Sequence, residues 1–157
     1  MRRSLIAAGA LLLAPALAGC GSSPAAVPHP TGADATACAS FMAALPQRLA
    51  DQPLASRASD GPQASYGDPA IVVSCGVGVP AGFGVGAECQ VANGVGWYLP
   101  SAQYDDQSLD ATITAAGYQP RVEVDVPARY RPAAVAAVMS ELAGAVKRSF
   151  RKTTGCV

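Results

Sequence analysis

The sequence is poor in the side chains that most catalytic and nucleic-acid-binding sites require. It holds one histidine and one tryptophan in 157 residues, only 14% of its residues are charged, and its formal net charge is zero. The histidine, His29, lies in a stretch rich in Pro, Ser and Gly, where we expect a tether and not a site. A folded domain without histidine excludes Ser–His–Asp and Cys–His nucleophilic catalysis in their usual forms. A neutral surface argues against nucleic acid as a partner.

Other absences exclude further kinds of site. The chain has no Cys-x-x-Cys pair and therefore lacks the usual ligand spacing of a zinc site, so we expect no metal and no cofactor. Glycines recur between Gly76 and Gly86 after a predicted strand, but they match neither G-x-G-x-x-G nor a P-loop. Pro80 also stands where a phosphate-binding helix would begin. A glycine-rich connection between strands is therefore predicted.

The first 20 residues are typical of a bacterial lipoprotein signal. A positive start, Arg2-Arg3, precedes the apolar run Leu5–Leu17, which is too short to span a bilayer. Small residues then lead into the motif Leu17-Ala18-Gly19-Cys20. We expect cleavage after Gly19 and a diacylglyceryl thioether on Cys20. The alternative is an ordinary signal peptide followed by a coincidental cysteine.

This signal divides the chain into three parts. Residues 1–19 are the predicted signal peptide, residues 20–33 the lipidated cysteine with a flexible Pro/Ser/Gly tether, and residues 34–157 a single α+β domain. An extended tether of ~3.1 Å per residue would lift the domain by up to about 40 Å. The mature protein is expected on the extracytoplasmic face of the cell membrane, held there by its lipid.

The remaining cysteines predict disulfides, because their number is even and the domain is small and exported. They are Cys38, Cys75, Cys89 and Cys156. Four cysteines permit three pairings. We favour Cys75 with Cys89, since a loop can bring their strands together. We pair Cys38 with Cys156, since the chain ends of one domain often lie close together.

Hydrophobic spacing predicts a helix at each end of the domain. The first helix is expected to be capped by Asp34 or Thr36 and interrupted at Pro46, by a kink or by the start of a second short helix. The last helix is expected to open at Pro132. Their apolar stripes are Cys38, Phe41, Met42, Leu45 and Leu49 in the first, and Val135, Val138, Leu142, Val146 and Phe150 in the last.

Strands are predicted between these helices. Ile71–Val77 has the composition of a buried central strand, and Arg121–Val126 alternates apolar and polar residues. Cys89–Leu99 is predicted to be a hairpin around a type I′ turn at Asn93-Gly94, and Asp51–Pro69 a loop. The predicted fold is α+β: a largely antiparallel sheet of four to five strands, packed by an N-terminal and a C-terminal helix and stapled by disulfides.

Three charged clusters invite a functional interpretation. Asp105, Asp106 and Asp110 match no EF-hand loop, so an exposed loop is favoured over a calcium site. Glu123 and Asp125 share one face of a strand, where a solvated surface is favoured over a catalytic or metal-binding pair. A basic cluster at the end of the last helix suits the helix dipole, with attraction to anionic lipid headgroups as the alternative. The basic residues are Lys147, Arg148, Arg151 and Lys152.

A pattern spread over most of the mature domain carries a family resemblance. Its residues are Tyr66–Val72, Cys75-Gly76-Val77, Pro80, Cys89, Val91, Gly94-Val95, Trp97, Pro120–Val124 and Val126-Pro127, with Leu45-Pro46 after an early cysteine. This pattern resembles an actinobacterial family of exported lipoproteins that is catalogued as a domain of unknown function (family 3515). Tyr66 stands where we would expect a tryptophan. The resemblance implies export, disulfides and a single domain, and it implies no activity.

We therefore expect a membrane-anchored, non-catalytic binding or accessory domain for an envelope protein partner. The alternative is a carrier of an apolar ligand or lipid, with its pocket between sheet and helices, and an enzyme comes third. An exposed apolar patch around Tyr66 or Tyr98 would favour the partner binder. A cavity of several hundred Å³ would favour the carrier, and a buried carboxylate with a strongly raised pKa would favour the enzyme.

Overall fold

The computed structural model of the chain describes residues 27–131 and 133–153. The elements in chain order are α1 (Gly32–Ala43), β1 (Arg48–Leu49), β2 (Gln52–Arg57), β3 (Gln63–Tyr66), β4 (Ile71–Val77), β5 (Cys89–Ala92), β6 (Val95–Tyr98), α2 (Ser101–Asp105), β7 (Ala111–Thr114), β8 (Tyr118–Gln119), β9 (Arg121–Val126), a 3-10 turn (Ala128–Tyr130), α3 (Ala133–Ser149) and β10 (Arg151–Lys152). The predicted signal peptide (residues 1–19), Cys20 and Cys156 lie outside the described residues. None of the described helices is long and apolar enough to cross a bilayer.

The predicted α+β class is confirmed, but the sheet is larger than expected. Eight strands follow one another in the order β1-β2-β3-β4-β9-β7-β6-β5, and their pairings are antiparallel. A separate two-stranded ribbon pairs β8 with β10. The prediction of four to five strands was therefore too low.

Two of the missed strands lie in the segment that was predicted to be a loop, and a third, β1, takes the place of the predicted helix after Pro46. Residues 51–69 contain β2 and β3, although Pro, Ser, Asp and Gly are frequent there. The turn between β1 and β2 is formed by Ala50 and Asp51, whose φ values are 46° and 62°. Positive φ at both central residues is typical of a type I′ turn, whose preferred pairs are Asn-Gly, Asp-Gly and Gly-Gly. Because Ala50-Asp51 is none of these pairs, the local signal for this hairpin is weak.

α1 and α3 pack on one face of the sheet, here called the inner face. The even-numbered residues of β9 are fully buried there, namely Val122, Val124 and Val126. The apolar stripe predicted for the last helix is confirmed, since Val135, Val138, Leu142, Val146 and Phe150 are all buried. The ring of Phe150 lies 4.9 Å from that of Phe41, centroid to centroid, and so joins the two helices. The core is thus a two-layer interface between helices and sheet.

The N-terminal helix differs from its prediction at both ends. It begins at Gly32, with Thr31 as the N-cap residue, so Asp34 lies in the first turn and accepts a 2.7 Å hydrogen bond from Gln119. It ends at Ala43, and the predicted continuation after Pro46 is wrong because the chain there enters β1. Leu45 and Leu49 are buried as predicted, but they reach the core from a turn and a strand.

The favoured disulfide pairing is wrong. Cys38 of α1 is bonded to Cys75 of β4, with an S–S distance of 2.03 Å, so neither Cys75–Cys89 nor Cys38–Cys156 forms. The error lies in the assumed strand order, since β9, β7 and β6 separate β4 from β5. Four strand spacings amount to about 19 Å, well beyond the ~7 Å that a disulfide can bridge between Cα atoms. Cys89 is also disulfide-bonded, to a cysteine other than these two.

Candidate functional site on the outer face of the sheet

The face opposite α1 and α3, here called the outer face, carries a line of polar side chains across five strands. The strand register places Gln63 opposite Ser74, Ser74 opposite Glu123, Glu123 opposite Thr114, and Thr114 opposite Tyr98. Directly opposite residues of a sheet project on the same side. These five residues therefore form one continuous line, here called the polar row.

Hydrogen bonds connect neighbours along the polar row. Gln63 Nε2 donates to Ser74 Oγ at 3.0 Å, and Thr114 Oγ1 donates to Glu123 Oε2 at 3.4 Å. Thr114 is 1% and Ser74 4% exposed, although both are polar. Buried hydroxyls of this kind are stable only where they find partners. The row is thus a packed polar strip and not a set of freely solvated side chains.

A second line runs beside the first and holds the other carboxylate. Asp125 lies opposite Thr112 on one side and Val72 on the other, and Ser65 follows opposite Val72. Thr112 Oγ1 donates to Asp125 Oδ1 at 2.7 Å. Glu123 and Asp125 are both half-buried, as the alternation of β9 predicts for outward-facing residues of a partly covered sheet.

The environment of Glu123 favours its protonated form more than water does. Burial raises the pKa of Glu123, the charge of Asp125 raises it further, and the hydrogen bond from Thr114 lowers it. A raised carboxyl pKa can mark a proton-transfer group. Among the described residues, however, no three His, Cys, Asp or Glu side chains lie together in a way that could hold a metal ion. The arrangement can accept and donate hydrogen bonds along one strip.

The glycine-rich connection covers the Tyr98 end of the polar row. Tyr98 Oη donates to the Ala81 carbonyl at 3.2 Å, and the Phe83 ring meets the Tyr98 ring edge-on at 5.5 Å. A groove of about 740 Å³ lies beside this contact, with Glu88, Asp105 and the exposed Tyr104 among its lining residues. The glycine loop is a connection between strands, as predicted, and it also shapes one end of the outer face.

The two tyrosines singled out by sequence do not form an exposed apolar patch. Tyr66 is fully buried, its hydroxyl donates to the Pro46 carbonyl at 3.0 Å, and burial raises its pKa. Tyr98 is 8% exposed. Sequence reasoning found Glu123 and Asp125 but missed Gln63, Ser74 and Thr114, because only the strand order brings those three beside Glu123.

A second groove, of about 450 Å³, lies between α1 and the β2–β3 hairpin. Its wall includes the apolar side chains of Ala35, Ala39 and Met42, and the polar side chains of Arg57 and Asp60. His29, the residue predicted to lie in the tether, is exposed and also lines this groove. The groove opens at the edge of the two layers, whereas the space between the layers is filled by the core.

The acidic segment before β7 is held by an arginine. Arg131 donates hydrogen bonds to the carbonyl oxygens of Gln103, Asp106 and Leu109, at 2.6, 3.3 and 2.8 Å. The Asp106 carboxylate accepts hydrogen bonds from the Ser108 amide and hydroxyl, and these bonds lower its pKa. Asp105 belongs to the short helix α2, and Asp110 accepts a 2.8 Å bond from the Ala128 amide. The carboxylates of Asp106 and Asp110 thus serve local contacts, and Asp105 lies on a short helix where an exposed loop was predicted.

The fold and the outer face define a class: a small disulfide-bonded α+β domain with an open antiparallel sheet. A family model matches residues 4–153, and the chain therefore belongs to the family described as protein of unknown function (DUF3515). The membership expected from the sequence pattern is confirmed at that level. No curated protein and no solved structure matches the chain significantly.

Proposed function

We propose that the chain is a lipid-anchored lipoprotein of an actinobacterial cell envelope, and that its outer face holds an envelope protein partner. The observation that carries this proposal is the polar row. Five hydrogen-bonding side chains cross five strands on the face that neither α1 nor α3 covers. In this view the domain binds and does not catalyse.

The shape of the outer face suits a protein surface better than a small molecule. Four strand spacings make the row about 19 Å long, and it lies on a sheet face, whereas small ligands prefer concave pockets. Ser74, Thr114 and Tyr98 are buried, so an extended partner surface would contact the half-buried Gln63 and Glu123 of the row together with Thr112 and Asp125 beside it. Each such contact adds orientation and specificity.

The charges on this side of the molecule define the chemistry of the partner. Glu123 and Asp125 lie within the two polar lines, and Glu88 and Asp105 line the adjoining groove. A partner that supplies hydrogen-bond donors or cations would stabilise the ionised form of Glu123, which burial disfavours. We therefore expect a partner with Lys, Arg or amide groups at its contact surface.

Photo-cross-linking in cells tests this proposal. A photoreactive residue placed at Ser65 or Thr112 of the outer face should yield one discrete protein adduct, and the same residue at the exposed Ala136 of α3, on the opposite side of the domain, should not. Adding Asp125→Lys to the Thr112 probe should remove the adduct, because it reverses the charge beside the probe. Equal adducts at Ala136, or no adduct from the outer face, would contradict the proposal.

The anchor is tested separately, through the cysteine sulfur that would carry the lipid. Cys20→Ala should release the protein from the membrane fraction or leave it uncleaved, because alanine cannot form the thioether. Fractionation with mass spectrometry of the product distinguishes these results. A variant that is processed and retained in membranes like the parent protein would refute the lipoprotein assignment.

An apolar ligand is a second candidate, and the groove beside α1 favours it. At about 450 Å³ the groove is of a size that ligands occupy. Native mass spectrometry of the mature chain should then detect a co-purified ligand, and Ala39→Trp, which fills the groove, should remove it. Retention of the ligand in Ala39→Trp would place the ligand elsewhere.

A further inference from the structure

The segment just before α1 is packed against the sheet backbone. A Cβ atom at Gly61 would lie 2.3 Å from Val27 Cγ1 and 2.9 Å from the Pro28 carbonyl oxygen, and one at Gly76 would lie 2.9 Å from Pro30 Cβ. Only glycine permits such close approach. Residues 27–30 were predicted to belong to a tether, but they are part of the folded domain.

Two arginines approach Gln119 at the corner where this segment lies, and a lysine follows the second of them along the chain. Gly76, which contacts Pro30, precedes Val77, and Val77 lies opposite Arg121 on β9. Arg121 in turn donates to Gln119 Oε1 at 3.1 Å, and Gln119 lies opposite Arg151 in the β8–β10 ribbon. Lys152 is the next residue along that ribbon and lies opposite Tyr118, on the other side of the ribbon from Arg151. We call Arg121, Arg151 and Lys152 the corner patch.

The same contacts bind the corner patch to the start of α1. Gln119 Nε2 donates to the Asp34 carboxylate at 2.7 Å, in the first turn of that helix. Arg151 and Lys152 are exposed and Arg121 is half-buried. Two carboxylates stand against these three cations: Asp34, and Glu123, which lies two residues from Arg121 on the same face of β9. The corner therefore keeps a small positive balance.

The basic cluster predicted from sequence is therefore two groups with different roles. Lys147 and Arg148 lie in the last turn of α3, where they oppose the helix dipole, and Lys147 Nζ donates to the Asn93 carbonyl at 2.8 Å. Arg151 and Lys152 lie beyond the helix, in β10. The dipole effect falls off within the last turn and does not account for this second pair.

We infer that the corner patch contacts the anionic headgroups of the membrane in which the protein is anchored, and so orients the domain on that membrane. This inference rests on the proposed lipid on Cys20. Residues 21–26 separate Cys20 from the packed Val27, and a fully extended chain of that length spans at most about 25 Å. The anchor therefore keeps the corner near the lipid surface, where phosphates attract basic side chains.

Vesicle binding by the unlipidated mature chain, residues 20–157 with Cys20→Ser, tests the patch apart from the anchor. Sedimentation compares vesicles of phosphatidylcholine with vesicles of phosphatidylcholine and phosphatidylglycerol in equal parts. We expect binding to the anionic vesicles only, weakening as salt is added. Arg151→Gln with Lys152→Gln should reduce it roughly 25-fold, at about fivefold for each cation.

The matched control is Lys147→Gln with Arg148→Gln, which removes the same charge from neighbouring exposed positions. This variant should retain binding within about threefold. Equal loss in both variants would show a response to net charge alone, and no binding by the parent chain would show that the patch does not contact lipid. Either result overturns the inference and leaves the outcome of the Cys20→Ala test unaffected. Conversely, a negative Cys20→Ala test would refute the lipid anchor but would not change vesicle binding by the unlipidated chain.

Discussion

The two faces of the sheet differ in what determines them. On the inner face, Val122, Val124 and Val126 of β9 are buried against the helices. On the outer face, the intervening Glu123 and Asp125 meet hydroxyl groups from the neighbouring strand β7. Strand alternation alone specifies the first arrangement, whereas the second exists only when the strands assemble in the observed order and register. The inner face stabilises the domain, and the outer face is free to acquire a function.

Removing the disulfide, which ties α1 to the inner face, is expected to have the largest effect on stability. Cys38→Ala with Cys75→Ala should lower the free energy of unfolding by about 4 kcal/mol, because the bond closes a loop of 37 residues in the unfolded chain. Urea denaturation under non-oxidising, non-reducing conditions measures the loss. A loss below about 1 kcal/mol would mean that the link between α1 and β4 is redundant with packing.

Substitutions at adjacent residues of β7 compare how much each face contributes to the free energy of unfolding. Ile113 is fully buried on the inner face and Thr112 lies half-buried on the outer face. Ile113→Ala should cost about 2–5 kcal/mol through lost burial and a cavity. Thr112→Ala should cost about 1 kcal/mol, through the lost hydrogen bond to Asp125. Similar losses in the two variants, by chemical denaturation, would contradict the assignment of faces.

The pH dependence of stability gives the smallest effect and reports on the outer face alone. Because the folded protein raises the pKa of Glu123 above its ordinary 4.5, this residue stabilises the fold fully below pH 4.5. That contribution is lost as pH rises through the raised pKa. Glu123→Gln should therefore match the parent protein in acid and exceed it at neutral pH, by less than about 1 kcal/mol since solvent screens a half-exposed group.

Thermal unfolding across this pH range measures the difference, and Thr114→Val is the complementary variant. It removes the hydrogen bond that lowers the pKa of Glu123, so that pKa should rise further in an NMR titration. An unchanged titration in Thr114→Val, or a Glu123→Gln variant that gains stability in acid, would show that the polar row is not coupled as described.

Local patterns predicted the parts of the fold that depend on near neighbours. The Asn93-Gly94 turn is confirmed, with positive φ at both residues, because its turn chemistry is contained in two positions. The alternation of β9 and the stripe of α3 are confirmed for the same reason. The hairpin at Ala50-Asp51 was missed because this pair of residues is not one of those typical of a type I′ turn.

The candidate site depended on contacts between residues far apart in sequence. Ser74 and Thr114 reach Glu123 only because β4 and β7 flank β9. The same missing strand order produced the wrong pairing of Cys75 with Cys89. Antiparallel strands can be connected in many orders. A single sequence therefore shows that each member of the polar row is polar, but it does not show that these residues lie beside one another.

The two edges of the sheet bear on how copies of the protein behave when they are crowded together. One edge is β1, of two residues, beside Pro53 of β2, and the other is β5, of four residues. Short edges and an adjoining proline offer little backbone for another chain to extend. Molecules of the protein that meet at high concentration can therefore keep the outer face uncovered by one another while resisting strand-to-strand polymerisation.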